Sequence, residues 1–234
     1  MSGWATLDYP RAQINIRAVS QWEQSFRAHA CAKEPWTVAW IEEIPSGGTF
    51  WDIGANTGPY ALIAAAHGIP TLAFEPGYAN YQALCDNVLA NVASAQHVAP
   101  LAIALSAETK LVSFFYRNLE PGAASHSMGE AKDKMVGNLP ALAMRANEVI
   151  DRFCGGIVPT HIKIDVDGAE LAVLVGFGTQ LERVRDIMIE VPNVGPHLDQ
   201  IHGLLKRAHV LSTVHNQRDG HMIPDVHYER WRLP

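Results

Sequence analysis

Thr49-Phe50-Trp51-Asp52-Ile53-Gly54-Ala55-Asn56-Thr57-Gly58 passes from a short, apolar, β-prone run into a glycine turn, and Tyr60 to His67 then reads as a helix. A strand that enters a helix through such a turn opens a βαβ unit. The pattern repeats downstream. Gly68-Ile69-Pro70 breaks the helix, and Thr71 to Phe74 is a second strand ending in Glu75-Pro76-Gly77. Tyr81, Leu84, Cys85 and Val88 have helical spacing over residues 80–91, and His97 to Leu105 reads as a third strand. Asn147 is placed to cap a short helix to Phe153. His161 to Ile164 and Asp186 to Val191 read as strands four and five, followed by helices over 169–176 and 198–208. His209 to Val214 and His221 to Val226 close the chain as an antiparallel hairpin. This alternation predicts an α/β fold with a mostly parallel sheet, a C-terminal antiparallel hairpin strand, and helices on both faces through right-handed crossovers.

Two regions stand outside that rhythm. Leu111 to Tyr116 reads as an extra strand of an inserted hairpin, and residues 118–140 as a loop without periodicity, long enough to act as a substrate lid. Residues 1–45 read as a mostly helical extension, with Trp22, Phe26, Trp36 and Trp40 packing on a domain that runs from 46 to 234.

The turn at 52–58 narrows the ligand. Gly54 can take positive φ and admit a ligand close to the backbone. A dinucleotide site calls for G-x-G-x-x-G, but this chain has G-x-x-x-G with an acid two residues before it. Asp52 would repel a pyrophosphate but suits S-adenosylmethionine, whose amino group and sulfonium are positive. Glu75, one βαβ half-unit later, can accept both ribose hydroxyls. No acid follows the third strand until Glu108, so backbone groups and apolar packing around Ala102 are expected to hold the adenine. The expected cofactor contacts are therefore Asp52, Gly54, Asn56, Gly58, Glu75, Ala102 and Asp165.

These pieces resemble the FkbM-type methyltransferases. The matching runs are Phe50 to Gly58, Ala73-Phe74-Glu75-Pro76, and His161-Ile162-Lys163-Ile164-Asp165-Val166-Asp167-Gly168-Ala169-Glu170, with Ile187-Met188-Ile189-Glu190-Val191 after them. They span about 140 residues in the family's order, and the Lys-Ile-Asp-Val-Asp-Gly-Ala-Glu run is the most specific. Asp167 stands where the family usually has Glu. The resemblance implies a class I methyltransferase (Rossmann-like) fold with a seven-stranded sheet. It also implies O-methylation of a hydroxyl on a sugar, glycan or natural product.

An alcohol is a poor nucleophile, so a base should remove its proton. Asp165 ends the fourth strand on the carboxyl edge of the sheet, where ligands of such folds meet. It is the first candidate for a catalytic or acceptor-positioning group. The competing reading is a helix cap. His126 and His197 lie in candidate substrate loops and have an imidazole suited to base work near neutral pH. Glu170 is read as structural, either capping its helix or pairing with Lys163. No metal is assigned: Asp165, Asp167 and Glu190 share one sheet edge, but spacing across strands does not show that they converge. The later histidines lack metal-ligand spacing.

Composition bounds the alternatives. A 234-residue chain with 48% apolar residues can bury one substantial α/β core. A formal net charge of -6 disfavours a nucleic-acid partner. Cys31, Cys85 and Cys154 match no disulfide or zinc pattern and fit free thiols in the cytoplasm. No apolar run approaches the roughly 20 residues that span a bilayer. A small-molecule or glycan acceptor is expected, and a homodimer is compatible with the sequence. The rival readings are N-methylation of an amine or peptide, a nicotinamide-dependent oxidoreductase, and a non-catalytic cofactor-binding protein. The Asn/Asp-Pro-Pro-Tyr/Phe signature of amine and base methylation is absent after the fourth strand.

Overall fold

The protein is described from a computed structural model over residues 3–218, 221–222 and 225–234. The chain enters through a two-stranded ribbon, Trp4–Thr6 against Asn15–Arg17, and then α1 (Pro35–Glu42). The alternating part follows: β1 (Phe50–Ile53), α2 (Pro59–Ala66), β2 (Thr71–Phe74), α3 (Tyr78–Ala90) and β3 (Val98–Leu101). After an excursion come α4 (Ala146–Phe153), β4 (His161–Ile164), α5 (Glu170–Phe177), β5 (Asp186–Pro192) and α6 (Pro196–Leu205). The last two strands of the large sheet are β6 (Val210–His215) and β7 (Val226–Arg232).

The seven strands form one sheet in the order β6-β7-β5-β4-β1-β2-β3. β3, β2, β1, β4 and β5 run parallel, and β7 lies antiparallel between β5 and β6. The strand order reverses between β1 and β4, so the crevice at their carboxyl ends is where a ligand is expected. A clasp outside the ladder fixes this junction. Thr49 and Thr160 bond reciprocally, each backbone N–H donating to the other's Oγ1 at 2.8 and 3.0 Å, across a separation of 111 residues.

The period of two along each strand sorts side chains between two cores. Trp51 and Ile53, Ile162 and Ile164, and Ile187 and Ile189 face α4, α5 and α6. Phe50, Ala73, Met188 and Tyr228 face α1, α2 and α3. Asp52 and Lys163 occupy the second face as register partners on adjacent strands, so an acid and a base are buried side by side.

Five expectations need correction. The N-terminal segment is not mostly helical: residues 4–17 carry the ribbon, with Leu7, Ile14 and Ile16 pressed into the core beside α2 and α3. The predicted third strand is two. The chain leaves the large sheet after β3, whose Pro100 is tolerated because β3 is an edge. Ile103–Leu105 then joins a four-stranded sheet with Gly137–Met144, Lys110–Tyr116 and Ser127–Met128. The loop over 118–140 is therefore shorter than expected. Its C-terminal part is a strand whose first half pairs on one side only, which lets Pro140 sit there. α4 starts at Ala146 after an extended Arg145, so Asn147 is inside the helix and not its cap; its Oδ1 accepts from Arg145 Nε at 3.2 Å. The closing hairpin pairs β6 with β7 rather than with 221–226. Gln217–Arg218 pairs with His221–Met222, and residues 219–220 and 223–224 of that region lie outside the described residues.

Candidate active site

The turn after β1 opens the site. Gly54 has φ +84°, and a Cβ there would lie 1.9 Å from the Asp165 carbonyl oxygen. Only glycine allows β1 and β4 to end this close together. Gly58 has φ +85° and caps α2, and a Cβ there would meet Leu84 Cδ1 at 2.3 Å. Between them Asn56, also at positive φ, bends the chain so that its N–H donates to Glu75 Oε2 at 3.0 Å. Gly77 N–H donates to Glu75 Oε1 at 2.7 Å. Each carboxylate oxygen thus keeps acceptor capacity for another donor. Glu75 is 5% exposed, and burial pushes its carboxyl up to about 7 against the pull of those two amides. A buried carboxylate with spare lone pairs and a raised pKa is a site that a ligand's hydroxyls would complete.

One cavity of about 220 Å³ runs along the carboxyl edge from this turn. Phe74, Ile103, Leu105 and Met128 form its apolar end, Glu75 and Asn56 its middle, and Asp165, Glu190 and Tyr228 its far end. Arg27 and Lys33 reach in from the N-terminal segment. The adjoining loop is anchored there. Ala123 carbonyl oxygen accepts from Asn56 Nδ2 and Asn80 Nδ2 at 2.8 and 3.1 Å. Gly122 carbonyl oxygen accepts from Arg27 Nε and Nη2, and its N–H donates to Asn80 Oδ1.

Beneath the far end lies a buried ionic cluster. Lys163 is 2% exposed, with Nζ donating to Asp165 Oδ2 at 2.8 Å and lying 5.0 Å from the centre of the Tyr60 ring. Burial opposes its charge, yet Asp165, Glu34 and Asp52 together raise its pKa. For Asp165, burial is likewise overcome by Lys163 and Lys33, which hold the carboxyl well below the usual range. Tyr228 hydroxyl donates towards Glu34 Oε1 at 3.2 Å and Asp165 Oδ2 at 3.4 Å. Glu190, in register with Tyr228 across β5 and β7, is pushed up to about 8 by burial and then by the charge of Asp165.

Gly54, Asn56, Glu75, Asp165 and His126 line the cavity. Gly58 shapes the turn from behind. Asp52 does not reach the cavity: it is wholly buried, neither oxygen has a hydrogen-bond partner among the described residues, and burial raises its carboxyl to about 6 despite Lys163. Ala102 is exposed, and its successors Ile103, Ala104 and Leu105 line the wall in its place. His197 is exposed and lines a neighbouring cavity. His126 Nδ1 accepts from Arg117 N–H at 3.2 Å, which assigns the proton of the neutral ring to Nε2. Burial lowers its pKa to about 4. Asp165 is not a helix cap, because α5 begins after Ala169 with no side-chain cap. Glu170 Oε1 accepts from Gly168 N–H at 2.9 Å, the structural role expected of it, while Lys163 pairs with Asp165. Arg27, Lys33, Glu34 and Tyr228 were not anticipated from sequence. Each lies outside any recognised run, and Tyr228 is also far along the chain from the glycine turn. Among the described residues, no three His, Cys, Asp or Glu side chains converge as a metal centre.

Residues 52–209 match the Methyltransferase FkbM domain family. The chain is 28% identical over 153 residues to the hexuronic acid methyltransferase AglP of Haloferax volcanii, covering 64% of this chain and 59% of that relative. A solved methyltransferase FkbM from Methylobacillus flagellatus KT superposes with a TM-score of 0.52 at 16% identity, over 78% of this chain and 43% of that one. Magnesium protoporphyrin IX methyltransferase (ChlM) of Synechocystis PCC 6803, solved with bound SAM, gives 0.51 at 8% identity, over 86% and 77%. At these identities the structural likenesses establish the Rossmann-like class I methyltransferase fold. This chain spans about three-fifths of the curated relative's length.

Proposed function

This chain belongs to the FkbM methyltransferase family, and we propose that it uses S-adenosylmethionine to methylate a hydroxyl group of a sugar, glycan or natural product. The observation that carries the reading is Glu75: a buried carboxylate, fixed by two backbone amides, with acceptor capacity left on both oxygens beside the Gly54 turn. That arrangement suits a ribose diol. Phe74, Ile103, Leu105 and Met128 would pack on an adenine ring. Asp165, kept ionised by Lys163, would hold the positive amino group, and Arg27 and Lys33 would face the α-carboxylate. When bound, S-adenosylmethionine supplies a methyl carbon activated by its sulfonium. The chain's own task is to align the acceptor with that carbon, for which proximity can provide roughly 7–11 kcal/mol of the barrier.

The sugar acceptor is supported by the likeness to a hexuronic acid methyltransferase. Cys31, Cys85 and Cys154 are free thiols, which fits a reducing cytoplasm. Among the described residues, no helix is long and apolar enough to cross a membrane.

The test is calorimetry with S-adenosylhomocysteine and NADH, followed by turnover on hexuronic acid glycosides. Binding of S-adenosylhomocysteine alone is expected. Glu75→Ala should weaken it by roughly 1.5–3 kcal/mol for each charge-assisted bond lost. Tight NADH binding, or undiminished affinity in a folded Glu75→Ala variant, would overturn the cofactor assignment. Methylation of amines in preference to hydroxyls would overturn the acceptor class.

A further inference from the structure

A second cavity of about 330 Å³ lies beside the first. Leu171, Ile201 and Val226 give it an apolar floor, and Arg117, Lys132 and His197 bring cationic or donor groups to its walls. Two residues, Asp167 and Glu190, line both cavities and so form the partition between them. Asp167 is committed, since its Oδ2 accepts from Ser125 N–H at 2.7 Å and its carbonyl oxygen from Lys132 Nζ at 2.9 Å. Glu190 stands one residue beyond the paired Ile164 and Ile189, inside β5 and level with Asp165.

Resting on the hydroxyl-methylation reading above, we propose that the acceptor, a polyhydroxylated ring, occupies this second cavity and that the Glu190 carboxylate takes the proton of the hydroxyl being methylated. The other candidates are less able to do so. Asp165 would have to surrender its ion pair with Lys163 to accept a proton. The Nδ1 lone pair of His126 is used by Arg117 N–H, and its Nε2 carries the proton. His197 is exposed and does not line the cofactor cavity.

The step balances. The proton moves from the acceptor hydroxyl to a Glu190 oxygen as the acceptor oxygen forms its bond to the methyl carbon. The carbon–sulfur bond breaks, and its electron pair stays on sulfur. A carboxylate and a sulfonium become a carboxylic acid and a thioether, so opposite charges are removed together in a low-dielectric site. The groups facing Glu190 tune it: Asp165 and Lys163 from β4, Tyr228 from β7, and Glu34 ahead of α1. Asp167 and His197 share the cavity wall. Burial and Asp165 place Glu190 at about 8, close to where a general base works best near neutral pH.

The experiment compares wild type with Glu190→Gln in three readouts. Calorimetry with S-adenosylhomocysteine should show that the variant still binds it, which establishes that the variant is folded and its cofactor cavity intact. Carbon-13 NMR of glutamate carboxyl groups should show one titration near pH 8 that is missing from the variant. This readout needs no acceptor. With S-adenosylmethionine and hexuronic acid glycosides, kcat/KM of the wild type should rise with pH and level off above about 8. The variant should lose roughly 10²–10⁴-fold and the rising limb. Normal turnover by a folded Glu190→Gln, or a Glu190 titration below pH 6, overturns the proposal while leaving the methyltransferase reading intact. Loss of wild-type activity on adding EDTA also overturns it, in favour of a metal. Failure of wild type to bind S-adenosylhomocysteine refutes the parent reading instead.

Discussion

Replacing Glu75 with Gln should make folding stability less sensitive to pH, and the size of the effect follows from the site. Glu75 is buried, and its carboxyl sits at about 7 in the folded chain against an ordinary 4.5. The folded state therefore binds the Glu75 proton more tightly than the unfolded state does. Stability attributable to this group is greatest below pH 4.5 and falls as pH rises to about 7. At about 1.4 kcal/mol for each pH unit of displacement, the loss across that window is roughly 3 kcal/mol. Gln cannot ionise, but its amide nitrogen must oppose either Asn56 N–H or Gly77 N–H, which costs a pH-independent amount of about 1–3 kcal/mol. The informative quantity is thus the slope and not the offset. Urea unfolding of both proteins across this range should give a stability difference that shifts by roughly 3 kcal/mol in favour of the variant as pH rises. The other raised carboxyls, Asp52 and Glu190 among them, cancel in that difference. Saturating S-adenosylhomocysteine should flatten the wild-type slope, because ribose hydroxyls would stabilise the charged form. A difference that stays flat without ligand would refute the account of Glu75 as a desolvated carboxylate awaiting donors.

Asp165→Asn should keep most of its hydrogen bonding but leave Lys163 with only Glu34 and Asp52 as counter-charges. Calorimetric unfolding should show a loss of about 1.5–3 kcal/mol, because Lys163 is buried while the Asp165 side chain is 23% exposed. Gly54→Ala would place a methyl group against the Asp165 carbonyl at a positive φ, so a chain that folds and binds S-adenosylhomocysteine with wild-type affinity would contradict the close β1–β4 approach. Hydrogen exchange should be slow at the Gly122 N–H, which donates to the buried Asn80, and fast across exposed residues 130–134. Slowing of the latter by cofactor and acceptor together would support a lid confined to that stretch; equal protection with and without ligands would reject it.

The parts legible in the sequence were those where one short run carries both the structure and the chemistry. Strand, turn and helix at 50–66 announce themselves through Gly54 and Gly58, and Glu75 follows at the end of the next strand. Asp52 shows where that logic stops. Its place on the strand before the glycine turn is legible, but the period of two along β1 turns its side chain into the core beside Lys163 and away from the cavity. Arg27 and Lys33 come from the N-terminal segment and Tyr228 from β7, which the sheet sets next to β5, so the three meet only in the folded chain. No local spacing encodes that. The strand at 137–144 was hidden because its first half is exposed and contains Pro140, which erases the expected alternation.

The Thr49–Thr160 clasp has a bearing on how the molecule comes into being. Residues that will lie side by side at the middle of the sheet leave the ribosome 111 positions apart. The strands β1, β2 and β3 can pair with one another as soon as they are made, but β1 then remains an open edge, with Trp51 and Ile53 uncovered, until β4 arrives. Long-range pairing of this kind slows folding, because the intervening chain must be closed into a loop first. The crevice at the ends of β1 and β4 does not exist before that closure. Gain of S-adenosylhomocysteine binding during refolding should therefore coincide with protection of the β4 amides and lag behind protection of β2, so that ligand capture marks the completion of the sheet.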